Sequence, residues 1–184
     1  MAKPQITETR GPLSRPLRLD EIKDEVSGEI EATAAERQAI ATLLELPDLQ
    51  ALTLTYRLRR QGGGRYQASG RLKADVTQTC VLSLEPLQTT VDVPLEVEFW
   101  PRRLLEEFEA RAEESEPDPL FECPEAITDG KVDLGPVIYE TFATALDPYP
   151  KRKGANFDWA DDASKKGDET KTSPFAALEQ LKRR

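Results

Sequence analysis

The chain has 184 residues, 38% of them hydrophobic, and 34 acids against 25 bases leave a net charge of −9. That length suits one domain with tails, and the charge repels nucleic acid and anionic membranes unless cations are segregated into a patch. No apolar run approaches the ~20 residues of a membrane span, and the absence of histidine removes Ser-His, Cys-His and most zinc arrangements at once.

Residues 1–15 carry no apolar signal-peptide core and read as a flexible start, so the cytoplasm is the expected compartment. "PLRLDEIKDE" (16–25) reads as an edge strand through Leu17, Leu19 and Ile22. "TAAERQAIATLLELP" (33–47) reads as a helix. Thr33 and Glu36 make a capping-box pattern, Ile40, Leu43 and Leu44 share a face, and Pro47 stops the run.

Strands follow. "LTLTYRL" and "YQASGRLKADV" alternate apolar and polar residues, and "QGGG" (61–64) between them predicts a β-hairpin. "TCVLSLEPLQ" (79–88) is the connection to "TTVDVPLEVEFW" (89–100), where Pro94 points to an edge position or a bulge. Nine acids and one base in 105–125 predict an acidic helix fraying into a loop, an insertion over 105–128. Asp129-Gly130 is a turn. Asp133 is the expected N-cap of a helix that tolerates Pro136 in its first turn and ends at Asp147-Pro148. Residues 149–172 read as a disordered linker, and "TSPFAALEQLKRR" as a short helical motif over 173–184. The expected architecture is α+β: one domain over 16–148, an antiparallel sheet with a Gly-rich hairpin, and two amphipathic helices on its apolar face.

Several clusters stand out. Arg57, Arg59, Arg60, Arg65, Arg71 and Lys73 fall in 17 residues without an acid. Parity puts Arg57, Arg59, Arg71 and Lys73 on the outer face of the hairpin. They can contact RNA phosphates, or they can pair with Asp92, Glu96 and Glu98 on the next strand. Cys80 shares parity with Val76 and reads as a small core residue. In "DPYPKRKGANF" (147–157), which opens at Asp147, Pro148 and Pro150 around Tyr149 stiffen an extended piece, and Lys151, Arg152 and Lys153 add charge; it reads as a segment that docks in a groove or on RNA, or as a linker. In the tail, Phe175, Leu178 and Leu181 form a stripe that needs a groove, in this chain or in a partner. No catalytic residue, metal or cofactor is expected.

Three stretches in order, "TCVLSLEPL", "KVDLGPVIYETFATALDPYPKRKGANF" and "SPFAALEQLK", resemble the YceD family of bacteria and plastids, the large ribosomal RNA subunit accumulation proteins. The resemblance spans roughly residues 14 to 183 and looks most like the alphaproteobacterial branch. Pro174 to Lys182 carries the most specific part of it, from Pro174 and Phe175 through Leu178 and Leu181 to Lys182. It implies a non-enzymatic assembly factor whose partners are large-subunit rRNA or its precursor, a basic large-subunit ribosomal protein, or both. Many relatives carry Cys-x-x-Cys in the central motif. Here Cys80 aligns with the first cysteine and Ser83 with the second, so a metal or redox role of that pair does not carry over. A protein adaptor without a ribosomal link, acting through the tail, is the other reading of the same features.

Overall fold

The computed structural model describes residues 11–112 and 123–154. Most of the expected N-terminal segment, the loop 113–122, the linker from 155 and the helical motif 173–184 lie outside the described residues. In chain order the elements are β1 (Pro16–Arg18), β2 (Glu25–Glu31), α1 (Ala34–Leu43), β3 (Asp48–Arg60), β4 (Tyr66–Thr79), β5 (Pro86–Pro101), α2 (Arg102–Ala112), β6 (Glu125–Ile127), β7 (Lys131–Asp133) and α3 (Leu134–Ala145).

The main sheet runs β2-β3-β4-β5-β6. Its first four strands pair antiparallel, and β6 joins the end of β5 in parallel. Residues 61–65, with Gly63 and Gly64 at positive φ, turn the chain from β3 into β4. The register fixes the two faces, because side chains alternate with a period of two. Leu54, Leu72 and Val93 line up across three strands, as do Leu58, Ala68 and Val97. Tyr56 lies between Gly28 and Gly70; a Cβ on Gly28 would stand 2.9 Å from the Tyr56 hydroxyl oxygen, so glycine makes room for the ring. Pro94 pairs with β4 on one side only, since β6 reaches β5 only from Phe99 to Pro101.

α1 packs on β3, and α3 on β4 and β5. Ile40 and Phe142 are fully buried there, and each such burial is worth about 1.5–3 kcal/mol. Both helix starts follow from the sequence. Glu36 donates its backbone N–H to the Thr33 hydroxyl and accepts the Thr33 N–H, which completes the capping box. Asp133 accepts from the Gly135 N–H at 2.9 Å.

The structure differs from the expectation in six places. Glu125–Ile127, expected inside the acidic insertion 105–128, is β6 of the main sheet, held by pairing with the end of β5. Only Pro16–Arg18 of 16–25 is strand; it pairs with β7 in a two-stranded ribbon, and Leu19–Glu21 is a 3-10 turn. One edge of the main sheet is β2, whose "EVSGEIE" holds too few apolar residues to announce a strand. Helix α1 stops at Leu43, where Glu45 takes a left-handed φ of 54°, and Leu43 faces solvent while Ala41 is buried. Leu13, Ser14 and Arg15, expected in a flexible start, are held. The Asp133 carboxylate accepts from the Ser14 hydroxyl at 2.6 Å and the Arg15 N–H at 2.5 Å, and Arg15 grips Glu36 through two bonds of 2.6 and 2.7 Å. A Cβ on Gly135 would come 2.3 Å from the Leu13 carbonyl oxygen, so glycine lets this segment cross the start of α3. Last, residues 149–153 are not a loose linker but lie on the sheet's end, as described next.

Candidate functional site

Two regions gather the predicted site residues. The first is the outer sheet face. Arg57, Arg59, Arg71 and Lys73 stand exposed on it, as parity requires. Their charges are largely matched. Glu25 lies opposite Arg59 in register and bonds both Arg59, at 3.2 Å, and Arg57, at 3.3 Å. Asp92 lies opposite Lys73 and binds Arg71 at 2.5 Å. The Arg71 guanidinium holds the Asp92 carboxyl below the usual carboxylate range, and Lys73 adds a smaller push in the same direction. Of the three acids expected to balance this face, only Asp92 does so. Glu96 accepts from Gln67 and Glu98 from the Trp100 indole N–H. Glu25 does the remaining work from a strand that periodicity did not announce.

The other two arginines of the cluster sit toward the hairpin end. Arg65 stacks over the Trp100 ring, 5.5 Å from its centroid, and donates to the Gly62 carbonyl. Trp100 meets Phe108 of α2 edge-on at 5.9 Å. Arg60 is exposed, and its backbone N–H donates to the Asp24 carbonyl. The six cations are therefore not one free row.

The second region is the end of the sheet where β4 passes into β5. Residues 80–85 form a tight turn: the Leu84 N–H donates to the Cys80 carbonyl and the Cys80 N–H to the Glu85 carbonyl, both at 2.9 Å. Residues 147–153 cross this turn as a strap. The Gln78 side-chain amide donates to the Asp147 carbonyl at 2.9 Å, and the Asp147 carboxylate accepts from the Tyr149 N–H at 2.8 Å. The Val81 N–H donates to the Pro150 carbonyl at 2.9 Å, and Pro150 is buried. The Arg152 N–H donates to the Cys80 sulfur at 3.4 Å, and the Arg152 guanidinium pairs with Glu85.

Cys80 is buried, as parity predicted, but its surroundings are polar. Hydrogen bonding from the Ser83 side chain, then from the backbone of Arg152, Ser83 and Leu82, holds the thiol below its ordinary value, at about 6. The bonds to Cys80 thus tie the turn to the strap. Cys123, by contrast, is exposed. Among the described residues no three Cys, Asp or Glu side chains cluster as they would round a metal ion.

Asp147, Pro148, Tyr149, Lys151 and Lys153 are exposed along the strap, and Pro150 alone is buried. Pro174, Phe175, Leu178, Leu181 and Lys182 lie outside the described residues. No helix among the described residues is long and apolar enough to cross a membrane.

The model of the large ribosomal RNA subunit accumulation protein YceD family matches residues 68–182, more than half of the chain. The chain belongs to the YceD family. The family's description supports a ribosome-related role. The match takes in most of β4, then β5, α3, the turn, the strap and the closing motif. It starts after Arg57, Arg59, Arg60 and Arg65, and so covers less of the chain than the motifs alone implied. Searches of curated proteins and of solved structures found no match.

Proposed function

We propose that the chain is a non-enzymatic factor in biogenesis of the large ribosomal subunit, which supports accumulation of large-subunit rRNA by binding RNA, a basic ribosomal protein, or both, in the cytoplasm. The family match over residues 68–182 carries this reading. The matched span includes the turn and strap, where Lys151 and Lys153 make no ion pair among the described residues. The outer sheet face supports RNA binding less, since Glu25 and Asp92 already occupy most of its cations. The acidic balance of the whole molecule requires any RNA contact to be local and salt-dependent. A second contact through Phe175, Leu178 and Leu181 would add to the first through effective concentration.

Depletion of the protein tests the reading. Mature large-subunit rRNA should fall relative to small-subunit rRNA, and an unchanged ratio would overturn the ribosomal role. Capture of the tagged chain from lysate with and without RNase separates the two kinds of partner. Loss of every ribosomal component on RNase treatment leaves RNA as the direct partner.

A further inference from the structure

We propose that the turn 80–85 and the strap 147–153 together form a binding surface for single-stranded RNA, with Tyr149 as a base-stacking platform and Lys151 and Lys153 as phosphate contacts. The inference rests on the ribosomal reading above and names the surface and the form of RNA it would take.

Four large hydrophobic side chains stand exposed among the described residues, and three of them are here. Leu84 is 76% exposed, Tyr149 71% and Val81 42%; the fourth, Leu43, is on α1. These three are not on loose chain. The Val81 N–H is bonded to the Pro150 carbonyl, Pro150 is buried, and the Tyr149 N–H is bonded to Asp147. Pro148 and Pro150 restrict the backbone on both sides of Tyr149. Little ordering entropy remains to be lost when a ligand meets the ring.

Charge completes the surface. Lys151, Arg152 and Lys153 follow Tyr149 directly. Arg152 is committed to Glu85, whereas Lys151 and Lys153 make no ion pair among the described residues. An exposed ring beside cations that make no ion pair among the described residues suits an anionic ligand with flat apolar faces, as a local patch on a chain whose net charge of −9 otherwise repels such ligands. Single-stranded RNA has both features in alternation, bases for the ring and phosphates for the lysines. Duplex RNA hides its base faces, so the ring would gain nothing from it. An acidic peptide would satisfy the lysines but leave the ring without a stacking partner. Three consecutive cations fall short of the roughly 4–8 that hold a polybasic segment on an anionic membrane.

The test uses the full chain and a fluorescent single-stranded oligouridylate, with a duplex of the same length as comparison. The wild type should bind the single strand better than the duplex. Tyr149→Ala should weaken binding by about tenfold, the scale of one lost base stack, and Tyr149→Phe should restore it. Lys151→Ala with Lys153→Ala should lower the salt slope by about 1.4, at ~0.7 per phosphate contact on a single strand. Both side-chain sets are exposed, so an unchanged melting temperature confirms that the fold is intact. Unchanged affinity in both variants overturns the surface. If large-subunit rRNA still falls on depletion, the ribosomal reading survives that result. Failure of the wild type to bind the single strand also overturns the proposal. Variant-sensitive capture of a ribosomal protein after RNase treatment would then assign the surface to a protein.

Discussion

The outer sheet face and the strap end both carry clustered cations, but they are built in opposite ways. On the sheet, neighbouring strands deliver carboxylates in register, so Arg57 and Arg59 share Glu25 and Arg71 holds Asp92. At the strap, the chain runs across a turn rather than between strands, and among the described residues only Arg152 of three consecutive cations finds an acid, Glu85. A row of like charges in a sequence is therefore not yet a binding site. What decides is whether the fold brings acids opposite it.

Both surfaces stand on one core, and the largest expected effect comes from there. Leu72 is fully buried in β4, between Leu54 and Val93 and next in sequence to Arg71 and Lys73. Leu72→Ala should cost about 2–5 kcal/mol in denaturant unfolding, through lost burial plus a cavity. It should weaken the sheet and the strap together. A loss below about 1 kcal/mol would mean that β4 is not the centre of the core.

A smaller change should touch the strap alone. The Ser83 hydroxyl is the leading cause of the lowered Cys80 thiol, followed by the Arg152 N–H. In a Cys123→Ser background, ultraviolet thiolate absorbance should titrate with a midpoint of about 6, and Ser83→Ala should move it up toward the ordinary 9.0. The sign for stability follows from the direction. A thiol held lower in the folded chain than in the unfolded one stabilises fully above 9.0, and that contribution disappears as pH falls through about 6. The stability gap between wild type and Cys80→Ala should therefore shrink over that interval. A gap that is constant with pH would show that Cys80 acts by packing and not as a charged acceptor.

The same contrast explains what was legible in the sequence. Period-two alternation exposed β3, β4 and β5 because each has one apolar and one polar face over many residues. The capping box at Thr33 and Glu36 and the cap at Asp133 were legible because both are local bonds. β2 was not, since Val26 and Ile30 alone carry its inner face beside Gly28. Without β2, Glu25 could not be placed against Arg57 and Arg59, and parity offered only Asp92, Glu96 and Glu98 as partners for the cation row. β6 and β7 are three residues each and exist only through their partners. The strap was read as a docking segment or a linker because its order comes from bonds between residues about 70 positions apart, such as Gln78 with Asp147 and Cys80 with Arg152. Local pattern carries no trace of such bonds. The Ser14 and Arg15 clamps on Asp133 and Glu36 were hidden for the same reason. In that cluster Arg15 holds the Glu36 carboxyl down at about 2.

The smallest expected change in stability is also the sharpest test of the contrast. Glu25→Gln with Asp92→Asn removes the two negative charges that cover the sheet cations and keeps the side chains' size, leaving one acceptor oxygen on each. Exposed ion pairs contribute about 0–1 kcal/mol each, so unfolding should shift little. The electrostatics should shift more. Arg57, Arg59 and Arg71 would become a free row beside Lys73, and the double variant should bind the same oligouridylate more tightly and with a steeper salt dependence than the wild type. Arg57→Gln with Arg71→Gln, made in the wild type, should change RNA binding by less than about twofold, in line with what exposed charges already paired contribute. If that second pair of substitutions abolished binding instead, the acids would be yielding their arginines to RNA. Matched and unmatched cations would then be functionally equivalent in this chain, and the sheet, not the strap, would be the place to look for the partner.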